Sequence, residues 1–96
     1  MTDKISIDSE VRLLENYLIL EQLRFKDKFE FDIQIDPQLD TLETYIPPLL
    51  SQPYIENAII HGLVDSKKNG KINIQFIKKN NQLKIIIEDN LSLIHI

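Results

Sequence analysis

The stretch "QPYIENAIIHGLVD", residues 52–65, reads as a helix standing between segments of a different period. At about 100° per residue, Ile55, Ala58 and Ile59 fall on one side of it. Two prolines just upstream (Pro47, Pro48) and a third at Pro53 suit a first turn, whose amides have no intrahelical partner. The spacing predicts an element beginning near Pro48; because Pro53 is late for a first turn, it has helical residues from 50 or 51 or else a slight kink. Gly62 is the expected stop, as a left-handed C-cap. "VDSKKNG" (64–70) then reads as a polar loop.

The flanks switch to period two. In "FEFDIQID" (29–36), Phe29, Phe31, Ile33 and Ile35 alternate with Glu30, Asp32 and Gln34, a half-buried strand that Pro37 ends. "PQLDTLETYIPP" (37–48) is a connection. Downstream, "KINIQFIKK" (71–79) places Ile72, Ile74 and Phe76 on one face, and "QLKIIIED" (82–89) does the same with Leu83, Ile85, Ile87 and Asp89. The two-residue link Asn80–Asn81 makes them an antiparallel hairpin. At the other end, residues 6–26 read as a helix with Ser6 as N-cap and Asp8 and Glu10 in the first turn. Ile7, Val11, Leu14 and Leu18 form its main apolar stripe, and Leu13, Tyr17 and Leu20 a second one beside it. So broad an apolar face fits either one deep core contact or two, against the chain's own sheet and a partner helix. The fold class is α+β, in the order α-β-α-β-β with a mostly antiparallel sheet and a long leading helix.

Composition narrows the function. The chain of 96 residues, 43% apolar and 27% charged, is at most one domain. Its core is modest, for a chain this short buries about 60–65% of its unfolded surface. The net charge is −4, and Lys and Arg are spread along the chain, which argues against a nucleic-acid surface. With no cysteine there is neither a thiolate metal site nor a thiol nucleophile. No apolar run approaches a membrane span, and the first residues have no secretory pattern.

Within the central helix three polar side chains stand close together. Asn57 and His61 lie one turn apart on the front, with Leu50 and Tyr54 above them, and Glu56 projects about a quarter turn away. An amide oxygen, an imidazole and a flanking carboxylate suit Mg²⁺ and a phosphate group, because the ion accepts hard oxygen ligands alongside water and phosphates. A solvated polar face, with Asn57 and His61 capping the last turn, accounts for the same spacing. Glu56 and His61 as a chelating pair of a metal hydrolase fit poorly, standing about 140° apart on a helix.

"YIPPLLSQPYIENAIIHGL" (45–63) resembles the N-box region of LytS/YehU-type sensor histidine kinases, whose pattern runs close to IPPLLLQPLVENAIKHG. "LLENYLILEQLRFKDKFEFDIQID" (13–36) is similar to the helix and strand that precede that box, and "LKIIIEDN" (83–90) to the strand entering the first glycine box. The resemblance covers residues 5–90. It implies a partial Bergerat-type (GHKL ATPase) α/β sandwich. Residues 1–27 would be a helix from the dimerisation region, 28–90 the first part of the ATP-binding domain, and 91–96 a foreign or truncated tail. It further implies ATP and Mg²⁺ as cofactors: Asn57 as the Mg²⁺ ligand at the nucleotide phosphates, His61 beside the phosphates, and Asp89 accepting a hydrogen bond from the adenine amino group. Read by itself, Asp89 is equally a turn residue at a strand's end. Glu56, next to Asn57, would be the catalytic carboxylate, polarising the acceptor imidazole. The parent would be a two-component kinase passing a phosphoryl group to a histidine and then to a response regulator. It would be a homodimer anchored in the plasma membrane through segments upstream, with this domain in the cytoplasm. The 96-residue chain alone is expected to be inactive.

Three positions depart from the pattern. Ile60 stands where the family has lysine, and Leu91 and Leu93 stand where the glycines of DNGxG belong. Leucine side chains there would obstruct a close backbone approach to nucleotide. His95, in the tail, is assigned no role. These departures keep open a second function, a helical association module that binds no nucleotide.

Overall fold

The computed structural model describes residues 3–25, 29–65, 70–89 and 93–95, and for 61–65 and 93–95 the backbone alone. The elements are β1 (Ile5–Ser6), α1 (Ile7–Arg24), β2 (Phe29–Ile35), β3 (Tyr45–Ile46), α2 (Gln52–Asp65), β4 (Gly70–Lys79), β5 (Gln82–Glu88) and β6 (Leu93–His95). The chain is α+β, with one mixed sheet in the order β2-β4-β5-β6 and a two-stranded β1-β3 pair. β2 and β4 run parallel, from Phe29↔Gly70 to Ile35↔Phe76, while β4–β5 and β5–β6 are antiparallel.

Each main element follows from its local sequence. Ser6, extended at φ −69° and ψ 156°, caps α1 by accepting the Ser9 N–H at 3.2 Å. Asp8 pairs with Arg12 at 3.2 Å along the helix surface. One face of α1 (Ile7, Val11, Leu14, Leu18) and one of α2 (Ile55, Ile59) join Phe29, Ile72, Ile74, Phe76, Ile85 and Ile87 in a single core cluster. Both helices therefore cover the same face of the sheet. The opposite face carries the polar residues of the alternation, including a Gln75-to-Gln34 side-chain hydrogen bond at 3.1 Å between β4 and β2.

The β4–β5 hairpin turns on Asn80 and Asn81, at φ 52° and 61°. Two successive left-handed residues give the mirror-image turn whose twist matches the strands, and asparagine tolerates it best after glycine. Asn81→Val is expected to lose about 1–2 kcal/mol in chemical denaturation, whereas Asn81→Gly keeps the stability within a few tenths.

Asp36 fixes the end of β2. Its N–H donates to the Phe76 carbonyl at 2.8 Å, and its carboxylate accepts the N–H groups of Gln38 and Lys78, each at 3.0 Å. Those two hydrogen bonds, led by that from Gln38, outweigh a smaller opposing effect of desolvation and, with a minor contribution from the charge of Lys78, hold its pKa below the ordinary 3.8. A carboxyl depressed on folding stabilises fully above its unfolded value and loses that contribution as pH falls through its folded one. The stability gap between wild type and Asp36→Asn is thus expected to be constant near neutrality. Denaturation curves at decreasing pH should show it narrowing only below about 3.8.

Two expectations need correction. Gly62 does not stop α2, which continues to Asp65, and no glycine among the described residues has positive φ. Leu63 and Val64 prolong the apolar pattern of Ile59 and Ile60 by one turn, and the added helical bonds outweigh the modest cost of an internal glycine. The connection before α2 is also more ordered than its composition suggests. β3 pairs with β1 (Ile5↔Ile46), and the N–H groups of Ile7 and Asp8 donate to the carbonyls of Thr44 and Thr41. Residues 93–95 pair with β5 as the sheet's edge strand.

Candidate functional site

α2 is held against the sheet by Ile55, Ala58 and Ile59, all buried, which turns Glu56, Asn57 and Ile60 to the exposed side. Its first turn is closed locally. The Gln52 N–H donates to the Leu49 carbonyl, those of Tyr54 and Ile55 both donate to the Ser51 carbonyl, and Pro53 has no N–H to satisfy. The back of the helix is thereby fixed, and Asn57 presents its carboxamide outward.

Glu56 lies beside Asn57 and within electrostatic reach of Tyr17 on α1. The Tyr17 hydroxyl is buried without a hydrogen-bond partner among the described residues. Its pKa is pushed up to about 12, chiefly by burial, then by the carboxylates of Glu21 and Glu56, with Arg24 opposing. The His61 side chain lies outside the described residues, although its backbone continues α2 one turn beyond Asn57. Asp89 is half-buried, one residue past the end of β5. Ile60 is exposed where the resemblance calls for lysine. Leu91 lies outside the described residues, and Leu93 begins β6. Asn57 and Asp89 therefore come from a helix and a strand end of one two-layer unit.

Sequence reasoning missed Glu10 and Leu49. Glu10 was assigned to the helix dipole, yet it is fully buried, and its Oε1 accepts the Leu49 N–H at 2.8 Å. The signal was present: position 10 lies on the stripe Ile7, Val11, Leu14. Leu49, at φ 57°, gives no such signal in the sequence.

Among the described residues no three His, Cys, Asp or Glu side chains gather as a metal cage. One outward carboxamide oxygen fits Mg²⁺, which binds through one or two protein oxygens and completes its shell with phosphates and water.

Known proteins supply an independent line. No family model matches the chain. It is 34% identical over 87 residues to the sensor histidine kinase YpdA of Escherichia coli (strain K12), a match covering 91% of this chain and 15% of that protein. It is 36% identical over 86 residues to the sensor protein LytS of Oceanobacillus iheyensis, covering 90% of this chain and 14% of the relative. With the sensor histidine kinase/phosphatase LytS of Staphylococcus aureus (strain Mu50) it shares 32% over 87 residues, 90% of this chain and 15% of the relative. The chain thus spans about one seventh of the length of these relatives. No described helix is long and apolar enough to cross a membrane. Over nine-tenths of its residues, the chain is homologous to one segment of the LytS-type sensor histidine kinases.

Proposed function

We propose that this chain is the part of a two-component sensor histidine kinase that begins the MgATP site, built on a partial Bergerat-type fold. The observation that carries the reading is the division of α2. Its back is packed into the core by Ile55 and Ile59, and Asn57 is left on the exposed side. In this reading Asn57 holds Mg²⁺ against the nucleotide phosphates, His61 lies beside them, and Asp89 accepts a hydrogen bond from the adenine amino group. Bound Mg²⁺ supplies neutralisation of phosphate charge; the protein's share is orientation and exclusion of water. Glu56 is assigned to polarising an acceptor imidazole.

The whole protein's work follows from the same reading: transfer of a phosphoryl group from ATP to a histidine and onward to a response regulator, within a homodimer held at the plasma membrane by other segments. The test is calorimetric titration of the chain with ATP, with and without Mg²⁺. Binding that requires Mg²⁺ supports the reading, and equal binding in EDTA removes Asn57 from its role.

One observation favours a second reading, a helical association module. On α1, Leu20 and Leu23 are 64% and 69% exposed, and Leu13 is exposed beside them. In that reading the second apolar stripe of α1 pairs with another helix and no nucleotide binds. A chain that self-associates through α1 but never binds nucleotide would decide for it.

A further inference from the structure

Glu10 is the one acidic side chain among the described residues that is fully buried, and it sits on the apolar stripe of α1 where leucine or methionine would pack. A buried carboxylate costs free energy unless it is bonded, and this one is bonded on one side only. Oε1 accepts the Leu49 N–H at 2.8 Å across 39 positions of sequence, while Oε2 has no partner among the described residues. Leu49 is left-handed at φ 57°, a backbone region that a leucine avoids. It lies three residues before Gln52, where α2 begins, and its carbonyl accepts the Gln52 N–H. The hydroxyl of Ser51, between them, is likewise fully buried without a hydrogen-bond partner among the described residues. The arrangement uses a costly group to hold a strained residue at the entry to the helix that carries Asn57.

The geometry points to Glu10 as a positioning residue for the nucleotide site: its carboxylate holds Leu49 left-handed and so sets the direction in which the chain enters α2. The inference rests on the reading of α2 as the Mg²⁺-binding helix. Among the described residues Glu10 has no ionic partner to strand, and the amide it would release belongs to Leu49, which is 41% exposed and can turn to water, so position and stability can be separated here.

The test compares the full chain with Glu10→Gln, Glu10→Met and the double variant Glu10→Met/Leu49→Gly. Hydrogen exchange of the Leu49 amide, the thermal midpoint and MgATP affinity are measured for each. Gln keeps an acceptor oxygen and should retain both Leu49 protection and affinity. Met keeps the packing, so its thermal midpoint should equal or exceed that of wild type. It should nevertheless lose Leu49 protection and bind MgATP roughly tenfold more weakly. Glycine at position 49 adopts positive φ without a tether and should restore most of that affinity in the Met background. Unchanged Leu49 protection in Glu10→Met overturns the inference. So does a Gln variant as weak as Met, or a double variant that recovers nothing. Absence of MgATP binding in wild type would refute the nucleotide site, while the exchange data would still decide whether Glu10 holds Leu49.

Discussion

Asn57→Ala is expected to weaken MgATP binding by roughly a hundredfold, the loss of one strong charge-assisted contact at about 1.4 kcal/mol per tenfold. The argument rests on what the substitution leaves alone. Asn57 is exposed, and alanine is the best helix former. The thermal midpoint should therefore hold or rise while affinity collapses. Adenosine, which carries no phosphates, should bind the variant as it binds wild type, because the lost group acts on the ion. Asp89→Asn should give the converse pattern. Adenosine and ATP would both weaken, and the preference for adenine over guanine would diminish, since a carboxylate that only accepts is replaced by an amide that also donates. Two variants with opposite signatures would separate an ion-holding side chain from a base-reading one. Loss of adenosine binding in Asn57→Ala as well would mean that the site had been perturbed as a whole.

The second large effect concerns the core. Phe76→Ala should destabilise the chain by about 3–5 kcal/mol, a large part of the roughly 5–15 kcal/mol available to a small domain. Phe76 is fully buried on β4, a strand paired on both sides. In the register it stands opposite Ile35 of β2 and Ile85 of β5, and its carbonyl accepts the Asp36 N–H at 2.8 Å. Neither neighbour can slide into the space the ring vacates without breaking a ladder, so much of the cavity would remain. The urea midpoint should fall by about 2–3 M for an m value near 1.5 kcal/mol/M. Ile60→Ala, on the exposed side of α2, should stay within about 0.5 kcal/mol of wild type. Comparable losses at the two positions would contradict the division of α2 into a buried back and an open front.

The strands were legible because a period of two is a local signal. Phe29 to Ile35, Ile72 to Phe76 and Leu83 to Ile87 each declare their buried face without reference to the rest of the chain. Ser6 and the Asn80–Asn81 turn were legible for the same reason, since capping and left-handed turns are chemistry of a few adjacent residues. What the sequence did not disclose depends on distant partners. The parallel pairing of β2 with β4 has no sequence period of its own, and β1–β3 consists of two-residue strands brought together by the wrap of the connection around α1. Glu10 does stand in the first turn of α1, but its burial was not legible, because its residue type speaks for solvent while its position speaks for the core, and only the Leu49 amide reconciles the two. Gly62 was misread because a helix stop and an internal glycine look alike until the following turn is counted. Of the candidate site, the front face of α2 followed from helical spacing, whereas the roles of Asn57 and Asp89 came from the resemblance. Their residue types alone equally describe a solvated helix face and a strand-ending turn.

Backbone amide shifts of the intact chain, followed during titration with MgATP, test the central claim most directly. The account predicts saturable movement centred on α2 around Asn57 and on the end of β5 at Asp89, with the outer face of the sheet at Asn73 and Gln75 unmoved. Saturation without movement at either Asn57 or Asp89, or no movement at millimolar MgATP, would contradict it.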